Sequence, residues 1–342
     1  MSSARRYLIV GPAWVGDMVM AQSLFISLKQ QYPDARIDVL APDWSLPLLA
    51  RMKQVNKGIR LGATHGQLAL RTRWKTGRAL RNEQYSHAIV IPRSLKSALV
   101  PWFAAARIRT GYRGEMRYGL LNNIRHLDKN VLRKTVERQV ALGLPQAPLS
   151  APPTPYPALE VSGAKQQKLL SDLGLSLDKP IIALLPGAEY GPAKQWPAES
   201  YRALAEKLCQ AGYGVWIYGS DKEKELAAVI SAAQPEIKNL CGKTQLVDVI
   251  DLLALNQCVV SNDSGLMHIA AAVGSPVVAI YGSSTPDYTP PLTDSKKVIY
   301  LGLACSPCFS RHCRFGHTHC LTQIGVEEVY QQVMETGNLH GK

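Results

Sequence analysis

Short apolar runs, each broken by Gly, Pro or polar residues and followed by a helical stretch, recur along the whole chain. No other feature limits the fold as much. Eight runs of four or five residues read as buried strands: Tyr7–Val10, Arg36–Leu40, His87–Ile91, Arg107–Gly111, Ile181–Leu185, Val215–Tyr218, Cys258–Ser261 and Val277–Tyr281. Spacing predicts helices near Gly16–Gln30, Trp74–Glu83 and Leu95–Ala106, and another around Glu137. Four more fall near Ala198–Ala211, Lys222–Ala233, Leu246–Leu255 and Leu266–Val273. Strands that alternate with helices through short loops make right-handed crossovers and parallel sheets. The fold class is α/β.

One stretch interrupts the alternation. Six prolines (Pro145, Pro148, Pro152, Pro153, Pro155 and Pro157) fall within thirteen residues, a density that excludes helix and central strand and gives an extended, semi-rigid linker. A length of 342 residues suits two domains of about 150 residues each. The expected division is 1–157, ending in the linker, and 158–342, holding a Cys-rich loop at 305–320 and a C-terminal helix. Two such Rossmann-like domains are expected to face a central cleft, because open parallel sheets bind ligands beyond their strand C-termini.

Charge is divided as sharply as the pattern. Residues 1–160 hold 24 Lys and Arg against 9 Asp and Glu, a net of +15, whereas 161–342 hold 15 against 17, a net of −2. One domain therefore faces something anionic. A nucleic-acid-binding protein is the rival from another class, but aromatics are few, are not interleaved with the cations, and form no recognised signature. A dinucleotide dehydrogenase is excluded, since no G-x-G-x-x-G follows a predicted strand. The longest apolar runs fall well short of the roughly 20 residues a membrane helix needs, and Tyr7–Val10 is too short for a signal-peptide core. The expected location is the cytoplasm.

Candidate chemistry sits at the strand ends. Asp17 follows the first strand in Val10-Gly11-Pro12-Ala13-Trp14-Val15-Gly16-Asp17, and it reads either as a helix cap or as a general base at a ligand-facing edge. After Ile181–Leu185 comes a Gly-rich loop with Lys194 just before a helix, either a solvated lysine or a cation that meets charge on a departing diphosphate. Glu223 lies beyond the next strand, where a helix's first turn favours acid and Rossmann-type sites hold a ribose. The strongest signal is Ser261-Asn262-Asp263-Ser264-Gly265-Leu266-Met267-His268, where a β-branched strand opens through small and polar residues into an Ala-rich helix. Small residues let backbone approach a diphosphate, and the first helical N–H groups and the dipole stabilise it.

Gly16-Asp17, Lys194-Gln195-Trp196-Pro197 and Asn262 to Ala272 together resemble the ADP-heptose:lipopolysaccharide heptosyltransferase family. The stretches Arg109–Asn122 and Gly187–Lys194 are similar to its type II members. The resemblance runs from residue 7 to about 290 in order and spacing. It implies a GT-B fold, an acceptor held by the first domain and ADP-heptose by the second. It further implies an inverting transfer of L-glycero-D-manno-heptose to the first heptose of the lipopolysaccharide inner core. Asp17 becomes the base, Lys194 a phosphate ligand, and Ser264 and Gly265 the diphosphate cradle. Asp263 and His268 shape the site, and Glu223 contacts ribose or adenine. The lipid A-Kdo-heptose acceptor is anionic, in keeping with the basic half, and places the enzyme peripherally on the inner membrane. Arg93, Lys96, Arg113 and Arg117 are the candidate acceptor contacts, each weighed against an ordinary surface role. Another GT-B transferase with a different nucleotide sugar is the nearest rival.

No metal is required. Asn262-Asp263-Ser264 offers one carboxylate rather than an Asp-x-Asp pair. Cys305, Cys308, Cys313 and Cys320 nevertheless fall with three His in one short segment, which leaves unliganded loop cysteines, a structural zinc and a redox-labile thiol cluster as readings.

Overall fold

The structure, a computed structural model, describes residues 5–62, 66–232 and 234–337. The chain divides into two compact units, Met1–Ala158 and Leu159–Lys342. Each is built on one six-stranded sheet.

The first unit holds β1 (Arg6–Val10), β2 (Arg36–Ala41), β3 (Lys57–Arg60), β4 (His87–Val90), β5 (Ile108–Tyr112) and β6 (Asn123–Arg125), in the order β3-β2-β1-β4-β5-β6. The second holds β7 (Ile181–Leu185), β8 (Gly214–Ile217), β9 (Lys238–Asn239), β10 (Cys258–Asn262), β11 (Val277–Tyr281) and β12 (Lys296–Tyr300), in the order β12-β11-β10-β7-β8-β9. Counted from each unit's first strand, both orders are 3-2-1-4-5-6, the doubly wound arrangement. Every pairing between these strands is parallel. The order reverses between β1 and β4 in one unit and between β7 and β10 in the other. Those are the points where such sheets open to ligands.

The inner strands are the eight read from the sequence; the four it missed, β3, β6, β9 and β12, are the sheet edges. β7, β10 and β11 are buried at every residue, which requires the continuous apolar runs that periodicity detects. An edge strand is half solvated and resists aggregation by carrying charge. In β3, KGIR, only Ile59 is buried.

Helices differ from expectation where local rules compete. Leu95–Ala106 is not one helix: a 3₁₀ turn, Leu95–Ala98, leads into Leu99–Phe103, and the chain leaves it at Ala105 with φ 54°. Helix Gly163–Asp172, absent from the sequence reading, buries no residue and so has no apolar stripe to see. Ala233, the expected end of the Lys222 helix, lies outside the described residues; the helix there is Lys224–Ser231. Residues 151–162 form neither helix nor strand. Gln22 clasps the Ala158 backbone from both sides, at 3.0 Å to its N–H and 2.7 Å to its carbonyl. Leu159 N–H donates to the Ala272 carbonyl at 2.9 Å.

Candidate active site

The second unit concentrates charge where its strand order reverses. Asn262, the last residue of β10, is fully buried and staples that strand's end to the end of β7. Its Nδ2 donates to the Pro186 carbonyl at 2.7 Å, and its Oδ1 accepts from Trp196 N–H at 3.0 Å. The loop between Pro186 and Trp196 is thereby fixed, and on it the 3₁₀ turn Pro192–Lys194 presents Lys194. Lys194 Nζ donates to Asp263 Oδ2 at 2.5 Å, with only 17% of the lysine side chain and 5% of the aspartate exposed. Asp263 also accepts from Ser284 Oγ at 2.6 Å and Thr289 Oγ1 at 3.4 Å. Its Oδ2 is held by two donors on the protein side, so it positions Lys194. An ammonium has three donors, which leaves the lysine able to hold a further oxygen.

Beside this pair begins the helix Gly265–Ala272. Ser264 is its N-cap in extended conformation, and its hydroxyl accepts from Met267 N–H at 3.4 Å. The earlier N–H groups of a helix have no partner within it. With the dipole they form an anion seat next to Lys194. His268, one turn on, is buried, and its Nδ1 has no hydrogen-bond partner among the described residues. Burial pushes its pKa down to about 4, helped by Lys194 and opposed by Asp263. The imidazole is therefore neutral and adds no charge to the seat.

Glu223 closes the adjoining edge. Ser220 N–H and Oγ donate to its Oε2 at 2.7 and 2.6 Å, completing a capping box. Its carboxyl group lies against Gly187, where an added Cβ would stand 3.0 Å from Glu223 Cγ. The expected donor-site residues Lys194, Asp263, Ser264, Gly265 and His268 are thus gathered at one place, with Glu223 along the end of β7.

Two residues of this neighbourhood escaped the sequence reading. The Tyr190 ring lies 5.1 Å from Lys194 Nζ and 5.4 Å from the Arg311 guanidinium, so two cations contact one aromatic ring. Arg311 belongs to the Cys-rich segment, which packs here through backbone. Its carbonyl accepts from Ala193 N–H at 3.1 Å, and the Ser283 carbonyl accepts from Phe309 N–H at 2.7 Å. Gly191, at φ 153°, makes room, since a Cβ there would stand 2.6 Å from the Arg311 carbonyl oxygen. Nothing in the sequence near Lys194 signals this partner.

Burial, and then the charges of Cys305, Cys308 and Cys313, raise the pKa of the Cys320 thiol, so the four cysteines of the loop lie near one another. Among the described residues no three His, Cys, Asp or Glu side chains are arranged to hold a metal ion. Cys320 is buried, whereas Cys305, Cys308 and Cys313 are half-buried. Backbone N–H groups of Thr318 and Phe315, chief among four, draw the Cys313 thiol below its ordinary pKa. His317 and His319 stack on one another at 3.9 Å.

In the first unit, Asp17 stands in the first turn of helix Val15–Gln31. It is not the cap that one sequence reading allowed: the N-cap is Trp14, which makes no side-chain cap bond. The Asp17 carbonyl accepts from Gln139 Nε2 at 3.1 Å. Beyond β4, Arg93 donates to the Arg113 carbonyl at 3.2 and 3.0 Å, and Glu115 accepts from Leu95 N–H at 2.7 Å, next to Lys96. Arg93, Lys96 and Arg113 therefore share one loop system. Arg117 departs from expectation. It is 2% exposed, and its Nη atoms donate to the Pro92, Ser94 and Tyr112 carbonyls and to Ser97 Oγ, while its buried Nε finds no hydrogen-bond partner among the described residues. It is interior, whereas Arg93 and Arg113 are exposed.

Residues 73–319 match the family model of glycosyltransferase family 9 (heptosyltransferase). The chain is 48% identical to lipopolysaccharide heptosyltransferase 2 of Salmonella typhimurium over 86% of its length and 88% of the relative's. It is 47% identical to lipooligosaccharide heptosyltransferase 2 of Haemophilus influenzae, with the same coverage. The solved structure of the Escherichia coli ADP-heptose lps heptosyltransferase II superposes with a TM-score of 0.88 at 41% identity, covering 98% of this chain and 100% of that one.

Proposed function

This chain belongs to glycosyltransferase family 9, the heptosyltransferases, and from that premise we propose that it is a GT-B enzyme transferring L-glycero-D-manno-heptose from ADP-heptose to the first heptose of the lipopolysaccharide inner core. The observation that carries the donor half is the buried Lys194–Asp263 pair beside the Ser264-capped helix. A nucleoside diphosphate leaving group needs an orientable cation and an anion seat in one place. Lys194 and the N–H groups at Ser264-Gly265 supply both, and Arg311 is positioned as a second cation for the same oxygens. Glu223 is the proposed partner of the donor's ribose or adenine.

The reaction is a single displacement with inversion at the anomeric carbon. Asp17 takes the proton from the acceptor hydroxyl as the new C–O bond forms, and ADP departs with the electrons of the broken bond. No step is routed through a metal. Arg93, Lys96 and Arg113 are the proposed contacts to the acceptor's carboxylates and phosphates. The net charge of +15 in residues 1–160 supports an anionic acceptor. No helix among the described residues is long and apolar enough to cross a membrane; the proposed position, suited to a lipid-borne acceptor, is peripheral on the cytoplasmic face. The direct test incubates the protein with ADP-heptose and an acceptor truncated after its first heptose, read by mass. A gain of one heptose is expected; no gain, or equal transfer from a UDP-sugar, overturns the assignment.

A further inference from the structure

Helix Leu70–Ala79 in the first unit turns most of its circumference to solvent. Only Arg73 and Gly77 are buried, followed by Leu80 in the turn Leu80–Glu83. The three recur at i, i+4 and i+7 and mark the inward stripe. Leu70 and Trp74 flank that stripe and are nevertheless 51% and 46% exposed. Around them stand Arg71, Lys75, Arg78 and Arg81, all exposed, and Leu68 is equally open just upstream.

A second exposed indole lies on the neighbouring helix. Gly77 lets helix Leu99–Phe103 approach so closely that an added Cβ would stand 2.3 Å from Phe103 Cβ. Arg81 Nε locks the pair by donating to the Phe103 carbonyl at 2.9 Å. Trp102, next to Phe103, is 46% exposed. Glu83 is the sole acidic residue between 66 and 85, and it is already held by Arg36 at 3.1 Å. Two indoles and two leucines open to solvent on adjoining elements exceed scattered surface exposure. Cations with no acidic counterweight surround them.

We infer that this face docks the protein on an anionic lipid bilayer, with Trp74, Trp102, Leu68 and Leu70 entering the headgroup boundary while Arg71, Lys75, Arg78 and Arg81 meet lipid phosphates. Indole and leucine together suit that boundary, whereas leucine adds nothing to a stack of nucleobases. Basic side chains reach the phosphates while their stems cover apolar surface. The inference rests on the peripheral placement proposed above. It is tested without donor or acceptor, so its failure would leave the transfer chemistry standing.

The full-length protein is sedimented with phosphatidylcholine vesicles, with or without a minor fraction of phosphatidylglycerol. Binding is expected to favour the anionic vesicles strongly and to weaken with salt. Replacing Arg71, Lys75 and Arg78 by Gln should lower partitioning on the order of a hundredfold, at roughly fivefold per cation. Trp74→Ser with Trp102→Ser should lower it about tenfold or more. All five side chains are exposed, and an unchanged melting temperature checks the fold; Lys75→Glu alone gives an independent reading. Equal binding to neutral and anionic vesicles, or wild-type partitioning in the variants, overturns the proposal. Tighter retention on a single-stranded oligonucleotide than on anionic vesicles at the same salt does so too, and assigns the face to nucleic acid.

Discussion

The two units share a strand order and invert their charge at the two loops that flank its reversal. After the first strand, unit one carries Asp17 and unit two Lys194; after the fourth, unit one carries Arg93 and Lys96, and unit two Asp263. In the second unit the opposite charges meet at 2.5 Å, and the cation is built in, oriented and half of an anion seat. In the first unit Arg93 turns to a backbone carbonyl, and the carboxylate stands on a helix whose cap gives no side-chain bond. Topology fixes where a ligand is met; side chains at equivalent strand ends decide which charge is offered there.

If that division of labour holds, the variants separate cleanly. Asp17→Asn should cut kcat by roughly 10² to 10⁴ while leaving the KM for ADP-heptose unchanged in steady-state assays. Lys194→Ala should lower kcat/KM by roughly 10² to 10³. It should also destabilise the fold by about 3 kcal/mol, because Asp263 is left buried without its cation. Adding Asp263→Asn should recover the melting temperature but not the activity, which distinguishes a phosphate ligand from a structural lysine.

His268 probes the same pocket through pH. Its folded pKa of about 4 lies below the ordinary 6.5, so the unfolded chain binds the extra proton between those values. Stability is then complete above pH 6.5 and falls by about 3 kcal/mol toward pH 4. Denaturant melts across that window should show the slope, and His268→Gln should flatten it. The smallest effect is expected at Gly191→Ala, where the new Cβ meets the Arg311 carbonyl oxygen. A loss of roughly 1 to 3 kcal/mol and a raised donor KM, read by thermal melts and kinetics, would tie the Cys-rich segment to the donor site.

What the sequence reveals follows the same contrast between inside and edge. Central strands such as β1, β7 and β11 announce themselves because burial on both faces demands continuous apolar residues. The polar edges β3, β6 and β9 carry no such run, whereas β12 holds Val298-Ile299-Tyr300 and is not among the eight. Asp263 and Ser264 stand out because they follow the end of β10 directly, and Lys194 because it lies just before the helix that begins at Ala198. Arg311 is not, since only tertiary packing brings the Cys-rich segment onto Tyr190. Nor does a string of arginines reveal that Arg117 is interior while Arg93 and Arg113 are open. An arginine's role depends on which carbonyls fold around it.

Calorimetric titration of ADP into Lys194→Ala and Asp17→Asn tests the central claim most directly. The account predicts wild-type affinity for Asp17→Asn and a loss of roughly ten- to a hundredfold for Lys194→Ala, the worth of one charge-assisted hydrogen bond. Undiminished ADP binding in Lys194→Ala, or a comparable loss in Asp17→Asn, would contradict it.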